Sequence, residues 1–448
     1  MIKPKGLLIA LVLLAVLGGL TYWSNKKKAA EGAKGSDTAS KVLTIPDDQI
    51  KEIKVQKAGA ETLLLRRDDA KKWQIVEPKP LPADQDAAGQ VATAISSLSA
   101  DKTVEDKAPD LAPYGLTSPT MIVTVLRKDG KSDVLQVGDE TPTGSGSYAK
   151  LATDPKVFTI ATFTKSSFEK TANDLRDKRL LTFDSDKLTR VELNAKGGPV
   201  EFGKNNQNDW QILKPRPLRA DGSQVEDLIR KLKDAKMEVP ANDEDAKKAA
   251  AAFAGGVKVA TATVTDASGS QNIEVHKDKD KNYYAKSSVV PGIFKVANDL
   301  GDGLDKSVDD FRNKKVFDFG FSEPGKVETK TAVYTKNGDK WISAGKTMDA
   351  ATVQTFIDKL RDLASIKFVD KALGAPVFEA TVTSNEGKRV EKVTITKQEN
   401  QYFAQRGNEP GVYELDSRAV EELQKAAADV KEPSPAQDKK GAEAGKKK

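Results

Sequence analysis

The chain has 448 residues, enough for roughly two to four domains of ordinary size. It contains no cysteine, which excludes disulfides, thiolate catalysis and Cys-ligated zinc or iron–sulfur centres; no cofactor is expected. The net charge of +6 sits on the flanks, with +5 on residues 1–45 and +3 on 431–448, so the body carries −2 and lacks the basic character of a nucleic-acid binder.

Residues 6–23 read GLLIALVLLAVLGGLTYW, uncharged and bracketed by Lys3 and Lys5 before and Lys26, Lys27 and Lys28 after. At the helical rise these residues reach about 27 Å, which suits a transmembrane helix with Tyr22 and Trp23 at the interface. No small-residue cleavage site closes the segment, so an uncleaved anchor is expected over residues 1–23. The flanking lysines are nearly balanced. The usual arrangement of such anchors then puts the chain in the inner (cytoplasmic) membrane, single-pass, with its body on the periplasmic or extracytoplasmic side. Residues 24–44 read as a flexible linker and 431–448 as a disordered basic tail.

Between the flanks lies an internal repeat. Residues 73–84 (WQIVEPKPLPAD) and 210–221 (WQILKPRPLRAD) are identical at eight of twelve positions, and a weaker copy starts at Trp341. The tryptophans are 137 and 131 residues apart, a domain length, so three duplicated units are expected: 45–184, 185–320 and 321–430. In each copy an aspartate (Asp84, Asp221, Asp349) is placed to cap a helix. An apolar stripe follows: Val91/Ile95/Leu98, Val225/Ile229/Leu232 and Val353/Ile357/Leu360, with three extra residues between cap and stripe in the first copy.

After each helix, alternating runs flank turns at Asp129-Gly130, Ala267-Ser268-Gly269 and Asn385-Glu386-Gly387, as hairpins do. An aromatic-bearing strand and a final short strand complete each copy. The expected fold class is α+β: three tandem units of mostly antiparallel sheet covered by amphipathic helices, plus the N-terminal transmembrane helix. Each repeated Trp is expected to anchor a core rather than touch a ligand.

The anchor, the Trp…Pro…Ala-Asp pattern, Tyr114-Gly115-Leu116 followed by Pro119, and the Leu175-Arg176-Asp177-Lys178 block together resemble a bacterial family catalogued as domain of unknown function 4340. The resemblance covers about residues 45–430; the second unit departs from it, with Phe253-Ala254-Gly255 at the Tyr-Gly-Leu position. It implies a cell-envelope protein encoded near ABC-transporter components of the gliding-motility type. It brings no catalytic residues.

No motif for catalysis emerges. His276 is the single histidine, expected to be exposed on a strand, and no G-x-S-x-G elbow accompanies it. Gly345-Lys346-Thr347 lacks the earlier glycine of a phosphate loop, because position 340 is Lys. Asp278, Asp280 and Asn282 have calcium-loop spacing, but Tyr283 and Val289 stand where Gly and Glu are needed. The leading expectation is therefore a non-enzymatic, membrane-anchored interaction or scaffold module with a protein partner in the envelope; the resemblance points to ABC-transporter components or surface machinery. A second reading is binding of an envelope glycan or lipid through Tyr148, Tyr283, Tyr284 or Tyr402. A third is an acid-dependent hydrolase using two close carboxylates.

Overall fold

A computed structural model describes residues 40–433 except 322, 372, 373 and 408. The expected membrane anchor, most of the linker and most of the tail lie outside the described residues, and no helix among the described residues is long and apolar enough to cross a membrane. The chain divides after Lys178 into two compact units, the first holding one large sheet and the second holding two.

Each repeat builds its sheet in the same way. In the first, four strands (Ile50–Lys57, Leu63–Arg67, Trp73–Glu77, Leu81–Pro82) form a meander. A helix, Gln85–Ser96, then leaves the sheet. The chain returns for a second meander of Met121–Arg127, Ser132–Glu140, Gly146–Leu151 and Val157–Ala161. The two meanders join where Ile50–Lys57 pairs with Met121–Arg127, and every pairing is antiparallel. Lys102–Glu105 closes the far edge, giving nine strands. The third sheet repeats this plan with nine strands, closed by Ser365–Val369. The second has eight. There the closing segment contains Pro240, which has no N–H to donate, and it makes only the bridge Glu238–Lys295. A further helix, Asp243–Gly255, follows and packs over that edge.

Local chemistry explains the helices. Asp84 accepts from the N–H groups of Asp86 and Ala87, both at 3.0 Å. Asp221 accepts from Ser223 at 3.0 Å and Gln224 at 3.3 Å, and Asp349 from Thr352 at 3.0 Å. Each cap satisfies donors that the first turn cannot pair, worth about 1 kcal/mol. Trp73, Trp210 and Trp341 are buried, each in a separate core beneath its helix.

Three expectations need correcting. The first concerns helix register. The buried positions are Ala88/Val91/Ala92/Ile95, Val225/Leu228/Ile229/Leu232 and Val353/Phe356/Ile357/Leu360. All three sets stand at the same offsets from the capping aspartate, so the first copy has no extra residues. Its alanines at 88 and 92 are too small to register as a stripe. Second, the linker ends earlier than residue 44. Ser40–Lys41 pairs with Ser99–Ala100, and Leu43 is buried in the first core, because its side chain has apolar surface to hide. Third, the tail begins later than residue 431: the carbonyl of Lys431 accepts from the N–H of Asp349 at 2.7 Å, and Glu432 pairs with Lys346 at 2.5 Å.

The segments 175–184 and 311–320 each serve two cores. Leu175 belongs to the first core, whereas Leu180, Leu181 and Phe183 belong to the second. Phe311 belongs to the second, whereas Val316, Phe317 and Phe319 belong to the third.

Candidate functional site

The four tyrosines singled out from sequence do not converge. Tyr148, in the first unit, is half-buried and meets Tyr114 edge-on at 5.0 Å. Tyr283 is 2% exposed; its hydroxyl donates to Asp302 and Lys277 lies 4.7 Å over its ring. Tyr402 is equally buried beneath Lys397. These two are packing residues. Tyr284 alone borders an opening, a recess of about 250 Å³ beside the helix Asp243–Gly255.

His276 is not an exposed strand residue. Its ring stacks on Phe253 at 3.9 Å, with Nδ1 2.8 Å from the Phe253 carbonyl and Nε2 2.8 Å from Glu274 Oε1. The helix that replaces the closing strand supplies this lid, which the strand pattern around position 276 does not foretell. Both ring nitrogens are occupied within the protein. Asp278 accepts from the backbone and side-chain nitrogens of Asn282, as in a hairpin turn. Gly345-Lys346-Thr347 belongs to a tight turn, with Ala344 and Gly345 both at positive φ.

A network of ion pairs lies where the second and third repeats meet, within the second compact unit. Arg219 stands on the short strand Leu218–Arg219 of the second sheet. Its guanidinium donates to Glu409 Oε2 at 3.0 Å, Asp318 Oδ2 at 3.3 Å and the Tyr413 hydroxyl at 2.9 Å, and to the Lys315 carbonyl. Arg406 donates to Glu409 at 2.9 Å and to Glu391 at 2.7 Å. Arg389, more exposed, lies 3.3 Å from Asp318 and 3.5 Å from Glu391. The Glu391 side chain is 2% exposed, and two arginines face it. Burial pushes the Tyr413 phenol up; Glu409 adds to this and Arg219 opposes it. Burial pulls Arg219 down, but Tyr413 and Glu409 outweigh it and hold the guanidinium above its ordinary value.

Beside this network opens a cleft of about 910 Å³. One wall is the hairpin turn 205–209, followed by Trp210 and Gln211; the other includes Asn385, Lys388 and Arg389 of the third repeat's hairpin turn. Trp210 lines it while its Nε1 donates to Glu226 Oε1 at 3.3 Å. Arg219 and Asp318 form its base together with Asn313, whose Nδ2 donates to Asp318 at 3.0 Å.

The sequence pattern marks Trp210 as a core residue and Asn385 as part of a turn, and it singles out none of the charged residues of the network. One signal was available. In the duplicated motif, Pro82 of the first copy is replaced by Arg219 in the second, a charge placed inside an otherwise matching packing segment.

Two stretches, residues 73–248 and 210–378, match the family described as Domain of unknown function (DUF4340), together covering more than half of the chain. The chain belongs to the DUF4340 family. Each match begins at a repeat's Trp strand and continues past the end of its own repeat, so the DUF4340 pattern takes in the junction with the following copy. No curated protein and no solved structure matches the chain.

Proposed function

We propose that the protein is a non-enzymatic, membrane-anchored envelope module that docks a protein partner of the transporter or surface-machinery kind, with its body on the extracytoplasmic side. The observation that carries this reading is the ionic junction of the second and third repeats. Arg219 and Arg406 share Glu409 between the two sheets, and the buried Glu391 continues the network into the third. Two small domains joined through buried charge keep a fixed mutual register, because misalignment would strand a carboxylate without its arginine. A fixed register is what a docking platform needs and a loose tether does not supply. The carboxylates in the network are already held by arginines, which does not favour the hydrolase reading.

Large apolar side chains remain on the surface to meet a partner: Phe163 is 75% exposed, Phe321 90% and Ile366 61%. The test is photocrosslinking in intact membranes, with a photoreactive residue at position 163, 321 or 366 of the full-length chain. A discrete heteromeric adduct from at least one position is expected. Recovery of the monomer alone from all three would overturn the reading.

A further inference from the structure

We propose that the cleft between the second and third repeats binds a short neutral oligosaccharide. The inference goes beyond the docking reading and does not depend on it. Four carboxamides on the cleft wall, Gln207, Asn208, Gln211 and Asn385, find no side-chain partner among the described residues. A carboxamide carries both a donor and an acceptor, the pairing that each sugar hydroxyl, itself donor and acceptor, satisfies. The other polar groups of the cleft are balanced in charge: Arg219, Lys388 and Arg389 face Asp209, Glu226 and Asp318. A nucleic acid or polyanion would need a positive excess, and a polycation a negative one. An apolar ligand would need a greasy wall, and Trp210, Ala220 and Gly222 are the few apolar contributions.

The size agrees as well. A volume of about 910 Å³ lies in the range of sites that enclose a ligand of several rings. Arg219 and Arg389 are both paired with Asp318, which holds the charged groups of the cleft in place before any ligand arrives. Neither flank of the cleft depends on the amides for its fold: Asn385 is exposed in a turn at φ 51°, and Gln211 is half-buried on a strand.

The experiment is calorimetric titration of the full-length chain, in a detergent without a sugar headgroup, with three probes: tri-N-acetylchitotriose, maltotriose and trigalacturonate. Saturable binding of tri-N-acetylchitotriose or maltotriose is expected, weakened about tenfold or more in the double variant Gln211→Ala/Asn385→Gly. Glycine keeps the left-handed backbone at position 385, so the double variant should retain the parent's melting curve. Tyr284→Phe, in the separate recess, should leave the affinity unchanged. The proposal is overturned if neither neutral sugar binds at millimolar concentration, if trigalacturonate binds tighter than both, or if the double variant binds as the parent does. Crosslinking of a protein partner is read independently, so failure of one idea leaves the other standing.

Discussion

The second and third repeats receive the incoming chain at equivalent places but with different chemistry. In the second, Ser287 donates its hydroxyl to the Leu180 carbonyl, and Gln271 Oε1 accepts from the Thr182 N–H at 2.8 Å. In the third, Arg406 takes the place of Ser287 and donates to the Val316 carbonyl, while Glu391 takes the place of Gln271 and accepts from the Asp318 N–H at 3.1 and 3.2 Å. Both seats satisfy the same backbone groups. Only the charged seat extends further, through Glu409 to Arg219 on the second sheet. The neutral version holds a segment; the charged version also ties two sheets together. Taking charges out of water costs several kcal/mol per ion, so the gain here lies in fixed geometry more than in stability.

The largest effect should come from Arg406→Met. It leaves the buried Glu391 with the Asp318 N–H and, as its counter-charge, the more distant Arg389, and breaking a buried ion pair by removing one partner costs about 3–5 kcal/mol. Denaturant unfolding of the full chain, with hydrogen exchange at residues 316–319 as the local readout, would measure it. Adding Glu391→Leu removes the stranded charge and should recover much of the loss. If Arg406→Met cost no more than Ser287→Ala, the contrast between the seats would collapse.

Ser287→Ala should come next. The serine hydroxyl serves the Leu180 carbonyl and accepts from the Val289 N–H at 2.9 Å, in a site 8% exposed. Removing it deprives two backbone groups of a partner, for about 1–3 kcal/mol. Protection of the Leu180 segment should fall in exchange experiments while that of residues 316–319 stays as it was. A matching drop at both seats would mean that they do not act separately.

The contrast also marks how far the sequence could be read. Caps, helices and hairpins were legible because their signals are local: an aspartate four residues ahead of the first buried helical position, or a glycine turn between alternating runs. The buried tryptophans were legible because duplication repeated them. The charged seat was not, since Arg219 and Glu409 are 190 residues apart and each residue type alone suggests an exposed surface. Tyr413 occupies the position of Phe294 in the second repeat, as the matching final strands already suggest and their pairing with Ala404 and Ala285 shows, but the partner Arg219 of its hydroxyl is 194 residues away. His276 escaped for a similar reason. Its environment depends on a helix present in the second repeat and replaced by a strand in the other two. Equally, three of the cleft's four free amides sit in hairpin turns, where Asn and Gln are ordinary, and the fourth, Gln211, is on the strand that follows one of them; they come together only when two hairpins face each other.

The smallest expected effect, from Tyr413→Phe, tests the titration of the charged junction. The phenol bridges Arg219 at 2.9 Å and Glu409 Oε1 at 3.0 Å, so at neutral pH its loss should cost about 1 kcal/mol. The alkaline limb is more diagnostic. Burial first, then Glu409, raise the folded-state pKa of Tyr413 against the opposing pull of Arg219, so the folded chain holds the phenolic proton more tightly than the unfolded chain does. That contribution is fully present below the unfolded phenol value of about 10 and is lost as pH rises through the higher folded value. The stability difference between parent and Tyr413→Phe should therefore shrink above about pH 10. The Ser287 hydroxyl meets backbone groups of Leu180 and Val289, which do not titrate, so parent and Ser287→Ala should lose stability in parallel over the same range. Parallel curves for Tyr413→Phe as well would show that the phenol titrates as it does in water, and that the junction is wetter than its packing implies.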